Sequence, residues 1–226
     1  MRKVRMPKIN ALLLALMGAS LLVACTLGGS EQELCVSPGV LFLDDFADSE
    51  ACGWAQYNQS GAAAAVEEGV LRVTTSQPGP FWWTNPNRNF DNVIVTVQAR
   101  QASGPNNNAF GVICRYQSPE NFYVFLISGD GYYAIGKYQS GNDQITYLTG
   151  DGQYHYIFSD AINQGVATNQ MRVSCVSNEL SLTVNGIPLP AVTDPTFVTG
   201  DIGLGVSAFE VGTAVIEFDD IQVIAP

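Results

Sequence analysis

From Val40 onward the chain alternates apolar and polar positions with a period of two, and no window carries the period of a helix. The clearest stretch is Val93-Ile94-Val95-Thr96-Val97-Gln98-Ala99-Arg100. There Val93, Val95, Val97 and Ala99 share one face, and Thr96, Gln98 and Arg100 take the other. Phe110, Val112, Cys114 and Tyr116 alternate in the same way, as do Met171, Val173 and Cys175. Turn signals interrupt at short intervals: Glu68-Gly69, Gly104-Pro105, Ser118-Pro119, Asp130-Gly131 and Asn185-Gly186 among them. This pattern predicts about a dozen antiparallel strands, no helix, and two sheets packed as a sandwich. With no internal repeat and no domain-splitting linker, residues 40–226 are expected to form one domain.

The first residues follow a different rule. Arg2, Lys3, Arg5 and Lys8 precede an apolar run from Ala11 to Ala24, broken only by Gly18 and Ser20. That run is shorter than the ~20 residues a spanning helix needs and has the build of a secretion signal. It ends in Leu22-Val23-Ala24-Cys25, which resembles the lipobox of bacterial lipoproteins. The resemblance implies a signal over 1–24, a lipidated Cys25, and a short tether over 25–39. It implies an extracytoplasmic protein of the cell envelope, held at the membrane by acyl chains, two or three of which anchor firmly.

Charge narrows the partners. Four of the ten basic residues lie in the signal, and all 21 acidic residues lie beyond it. The remaining six basic residues leave a net charge near −15, a field that repels nucleic acid and anionic headgroups. Cysteine use fits the same compartment. Apart from Cys25, four cysteines remain, an even number suited to an oxidising location. Of three pairings, Cys35–Cys52 and Cys114–Cys175 are expected. The first two flank the first strand, and the second two sit mid-strand among inward apolar residues, here read as adjacent strands. Loop entropy assigns these bonds roughly 3 and 4 kcal/mol as upper values.

Leu43-Asp44-Asp45-Phe46 and Glu217-Phe218-Asp219-Asp220-Ile221-Gln222-Val223 resemble the first and last strands of concanavalin A-like jelly rolls. Gly111–Gln117, Asn121-Phe122-Tyr123 and Gly131–Ile135 resemble the central hairpins of laminin-G-like domains, and more narrowly the bacterial group related to the 3-keto-disaccharide hydrolase domain. Val176–Gly186 resembles that group's late hairpin. The resemblance spans roughly Val40 to Ile224 and implies a concanavalin A-like jelly-roll sandwich. The superfamily hosts lectins, carbohydrate-binding modules, glycosidases and adhesion domains, so fold alone does not choose among them.

Glucanases of that superfamily carry three carboxylates on one strand. The nearest match, Glu217-Phe218-Asp219, lacks the third, because Ile221 and Gln222 stand where it is required. This strand is expected at the sheet edge beside the first. His155 is the only histidine, in Tyr154-His155-Tyr156, read as a strand beside a loop, and no nucleophile elbow is present. Asp44, Asp45, Asp219 and Asp220 could gather if the end strands pair, which makes a structural calcium a candidate cofactor. Asp130 and Asp151, each before Gly, read as turn formers.

Aromatic residues are the strongest lead to a ligand. Sugar sites use flat rings beside polar groups that bond hydroxyls. Neighbours in a strand face opposite ways, so one of Trp82 and Trp83, and one of Tyr132 and Tyr133, should point away from the core. These four are candidate ligand residues, with Arg115, whose other reading is a bond to the Ser118–Asn121 turn; Phe46 and Trp54 are core. The expected function is a membrane-anchored, non-catalytic glycan-binding or adhesion sandwich. The alternatives are a glycoside or keto-sugar hydrolase, and a structural or sensory ectodomain docking an envelope protein.

Overall fold

The computed structural model describes residues 35–48, 52–142 and 144–226. The signal and Cys25 lie outside the described residues. All regular structure among the described residues is β, and no helix among them is long and apolar enough to cross a membrane.

In chain order the strands begin with β1 (Phe42–Asp44), β2 (Tyr57–Gln59), β3 (Ala62–Glu67), β4 (Val70–Thr75) and β5 (Trp82–Thr84). Four longer ones follow: β6 (Val93–Ser103), β7 (Asn108–Ser118), β8 (Asn121–Ile127) and β9 (Tyr132–Tyr138). After the short β10 (Thr146–Tyr147) and β11 (Ile157–Phe158) come β12 (Thr168–Val176) and β13 (Glu179–Val184). The last are β14 (Ile187–Pro188), β15 (Val192–Thr193), β16 (Asp201–Ala208) and β17 (Ala214–Ile224). The 17 strands among the described residues exceed the expected dozen partly because four are two-residue strands that the alternation cannot mark.

They form two antiparallel sheets. The larger runs β14-β13-β12-β6-β17-β4-β3-β2, with β1 also on β17 and β15 on β13. The smaller runs β10-β9-β8-β7-β16-β5, with β11 also on β9. This is the two-sheet sandwich the pattern predicts, with the jelly-roll form that the resemblance implies. Alternation places Val93, Val95, Val97 and Ala99 of β6 in the core, where they meet Phe110, Val112, Phe125, Ile135 and Leu204 of the smaller sheet. Phe46 and Trp54 are buried there too.

The end strands do pair, with Phe42 opposite Val223 and Asp44 opposite Ile221. But β17 is interior, hydrogen-bonded to β6 and β4, so the strand carrying Glu217 is not a sheet edge. Its register shifts between Asp219 and Gln222, where Asp220 takes a positive φ of 49°. The bulge resets the alternation, so Ile216 and Phe218 before it and Ile221 and Val223 after it all face the core.

Both expected disulfides are present, Cys35–Cys52 and Cys114–Cys175. The second differs from expectation in place: Cys114 is on β7 and Cys175 on β12, so it ties the two sheets across the core rather than two adjacent strands. The first pins Cys35, fully buried, and Leu43 donates its backbone N–H to the Cys35 carbonyl at 2.9 Å. Residues 35–39, read as tether, are thus stitched to β1.

Candidate functional site

In a sandwich strand every second side chain should meet water. The smaller sheet breaks this rule. The run Phe122-Tyr123-Val124-Phe125-Leu126-Ile127 is buried on both faces. Tyr123, Phe125 and Ile127 point into the sandwich. Ala109, Ile113, Phe122, Val124 and Leu126 form a second cluster on the outer face, against which Phe81, Trp83, Tyr116, Tyr138, Ile145 and Tyr156 pack. Small residues in β16 let the rings lie low: a Cβ at Gly205 would stand 2.6 Å from Cζ of Phe81.

Rings cover this face in a connected array. Phe81 stacks on Trp83 at 6.0 Å and on Tyr138 at 6.3 Å, with interplanar angles of 17° and 25°. Phe122 supports Tyr138 from beneath at 4.7 Å and Trp83 at 5.2 Å. Beyond them Tyr147 and His155 stack almost parallel, 4.7 Å apart. Between these groups lies a cleft of about 590 Å³, lined among the described residues by Pro80, Phe81, Trp83, Tyr138, Gln144, Ile145, Tyr147 and His155 and others, none of them a carboxylate. Burial, with the neighbouring Tyr147, pushes the Tyr138 hydroxyl up to about 12, and burial raises that of Tyr147. Both phenols therefore stay protonated and able to donate at physiological pH. A second cleft of about 230 Å³ lies on the same sheet, lined by Asn107, Asn108, Ser128, Asp130, Tyr132, Tyr156 and Phe209.

The tandem aromatics divide between faces. Trp83 sits opposite Gly205 in the outer array, whereas Trp82, opposite Val206, turns toward the open edge between the sheets and tilts on Tyr57 at 6.4 Å. Tyr133 is in the core; Tyr132 is 38% exposed and meets Phe158 edge-on at 5.6 Å. Trp83 and Tyr132 line different clefts.

Arg115 is elsewhere, and neither of its sequence readings describes it. It is 2% exposed, and its guanidinium donates to the carbonyls of Phe197 at 2.7 Å and Cys175 at 3.2 Å. A positive φ of 53° there, with a register shift after Cys114, lets Cys114 and Arg115 both turn inward. The Ser118–Asn121 turn is held instead by Ser118, whose Oγ accepts from the Asn121 side chain at 2.9 Å.

His155 also differs from expectation. It lies in the loop before β11 rather than on a strand, which is what carries it over the sheet. Asp151 does form a turn, its Oδ1 accepting the backbone N–H groups of Gln153 and Tyr154, both at 2.9 Å. Phe81, Tyr138, Tyr147, Tyr156 and Phe209 escaped the sequence reading. Phe81 had a signal, since it stands two residues from Trp83 and so shares its face; Tyr147, on the two-residue β10, and Tyr156 and Phe209, on loops lining the smaller cleft, had none.

Asp44, Asp45 and Asp220 border a shallow depression of about 290 Å³. Burial raises the Asp44 carboxyl, yet its oxygens are occupied by the Phe46 backbone N–H at 2.8 Å and Trp54 Nε1 at 2.9 Å. Asp219 Oδ1 accepts from the Asp220 backbone, and Asp220 Oδ2 from Gln98. No group of three His, Cys, Asp or Glu among the described residues is arranged to hold a metal ion. The four aspartates do not fit a calcium cage as they stand.

Among solved structures the sandwich is similar to carbohydrate-binding module CBM66 from Bacillus subtilis, with 14% identity, a TM-score of 0.60, and coverage of 79% of this chain and 99% of that one. It is also similar to a Bacillus subtilis protein of unknown function with a galectin-like fold, at 12% identity and TM-score 0.58, covering 82% and 96% of the two chains. A third is the Crh5 transglycosylase solved in complex with NAG, at 12% identity and TM-score 0.56, covering 81% and 83%. At such identities the likeness is one of fold. No protein-family model matches the chain, and no curated protein matches it in sequence.

Proposed function

We propose that this protein is a non-catalytic glycan-binding lipoprotein, anchored through Cys25 on the extracytoplasmic side of a membrane. The observation that carries the reading is the ring-lined cleft on the outer face of the smaller sheet. Parallel rings at Phe81, Trp83 and Tyr138 offer flat apolar surface for the faces of sugar units, and Gln144, Tyr147 and His155 offer polar atoms for hydroxyls. Carbohydrate-binding and sugar-processing neighbours in fold add support. A hydrolase has less: among the described residues no carboxylate lines the cleft, while Glu217 is tied to Arg72 and Arg100 on the other sheet. Two disulfides fit an oxidising, extracytoplasmic compartment.

The test is a glycan array on the soluble domain, run with and without calcium, followed by calorimetric titration of Trp83→Ala and Trp82→Ala. Trp83→Ala should weaken sugar binding by about 1–3 kcal/mol, as ring-stacking platforms do, and Trp82→Ala should leave it nearly unchanged. No binding on the array, or equal losses from both variants, would overturn the cleft and favour an ectodomain that docks an envelope protein. For the anchor, Cys25→Ser should leave the membrane fraction and lose the mass of its acyl chains.

A further inference from the structure

The two clefts on the smaller sheet share a wall, and this bears on the size and charge of the ligand. Tyr147 lines the larger cleft and Tyr156 the smaller, and their rings meet edge to face at 5.5 Å. Tyr156 in turn packs edge-on against Phe209 at 5.9 Å. The strand beneath spans both sites. Tyr138 and Tyr132 lie at opposite ends of β9 on its outer face, six residues apart, with Ala134 and Gly136 between them. At the rise of an extended strand that is a separation of about 20 Å, the reach of several sugar units rather than one.

The clefts also differ in chemistry in a way that suits one chain laid across them. The larger offers stacked rings. The smaller offers three rings, Tyr132, Tyr156 and Phe209, beside polar groups not taken up by the fold. Asp130 Oδ1 accepts from Ser128 Oγ, while its Oδ2 takes no hydrogen bond from the described residues, nor does the Asn107 side-chain amide. By contrast Asn108 is fully occupied, donating to Gln101 and Pro105 and accepting from Gly129, so it fixes the floor. A carboxylate in the smaller cleft, within a chain of net negative charge, favours hydroxyls and repels acidic sugars.

We infer that the two clefts form one track for a neutral, linear oligosaccharide, stacked at the Trp83 end and hydrogen-bonded at the Asp130 end. This rests on the glycan-binding reading above. The experiment is calorimetric titration of the soluble domain with neutral oligosaccharides graded from disaccharide to hexasaccharide, taken from fructo-, xylo-, cello- and chito- series, with oligogalacturonides as the acidic probe. Affinity in the series that binds should rise about tenfold or more with length before levelling, and the oligogalacturonides should not bind. Phe209→Ala and Asp130→Asn should each remove the gain with length and leave disaccharide binding at its wild-type value. Because Phe209 is 40% exposed, its truncation should leave the melting temperature nearly unchanged, which separates loss of track from loss of fold. Affinity that ignores length yet still falls in Trp83→Ala overturns the track and spares the single cleft. Length dependence that survives both smaller-cleft variants overturns it too. Failure of every probe removes the cleft reading and the track with it.

Discussion

The two outer faces of this sandwich start from the same strand geometry and end in opposite states. On the larger sheet the outward positions of β4, β6 and β17 carry Arg72, Thr96, Gln98, Arg100 and Glu217, partly open to water and joined by ion pairs. On the smaller sheet the outward positions of β7, β8 and β9 carry Ile113, Phe122, Val124, Leu126 and Tyr138, covered by the rings of Phe81, Trp83 and Tyr156. A fold needs only one buried face per sheet. The aromatic face is a second buried layer beyond that need, and on the function proposed above it is the face that meets the ligand.

The strongest challenge to this contrast replaces one residue on each face. Phe122 is fully buried in the outer cluster, so Phe122→Ala should destabilise by about 3–5 kcal/mol, as core aromatic truncations do. The matched change on the hydrated face, Thr96→Ala, should stay within about 0.5 kcal/mol. Urea unfolding at neutral pH reads both. Similar small losses would mean the aromatic face is a surface rather than a second packed layer.

How far this contrast could be read from sequence depends on whether a residue's neighbours are set by the strand or by the fold. Period two alone places Val93, Val95, Val97 and Ala99 correctly, and it says that one ring of each tandem pair faces away from the core without saying which; the structure makes these Trp83 and Tyr132. It fails where the backbone departs from a plain strand. The left-handed residues Arg115 and Asp220 each mark a bulge, and no alternation announces one. Arg115, expected at a ligand or at the Ser118–Asn121 turn, is instead a buried tie between the sheets. The candidate site was half legible. One ring of the Trp82–Trp83 pair was legible from its tandem position, but Tyr147 sits on the two-residue β10 and His155 and Tyr156 cross the sheet on a loop, placements that only tertiary packing decides.

The most buried ion pair among the described residues contrasts with the exposed ones. Lys137 reaches Asp194 at 2.7 Å with side-chain exposures of 11% and 10%. Burial alone would raise the Asp194 carboxyl, but hydrogen bonds from Lys137, Thr196 and Tyr123 outweigh it and hold it at about 2. A carboxyl depressed in the folded state stabilises above its unfolded value and loses that contribution as pH falls through the folded one. Stability should therefore drop by about 2 kcal/mol between roughly pH 4 and pH 2 on account of this group. Asp194→Asn should flatten that slope in urea midpoints measured across the range. An unchanged slope would assign the acid sensitivity to other carboxylates.

The smallest effect is expected on the hydrated face. Glu217 bridges Arg72 at 3.0 Å and Arg100 at 2.7 Å, and Arg72 also pairs with Glu67 and with Glu68. Burial works against the Glu217 charge, yet the two arginines prevail and keep its carboxyl below the ordinary value. Because Arg100 is 44% exposed and Arg72 is shared among three carboxylates, water and salt screen much of this attraction. Glu217→Gln should cost no more than about 1 kcal/mol at low ionic strength, and less as salt is added. The same variant should bind sugar as the wild type does, because its side chain lies on the opposite sheet from the ring-lined cleft. A loss of binding comparable to that of Trp83→Ala would break the contrast at its root, by assigning the ligand to the hydrated face.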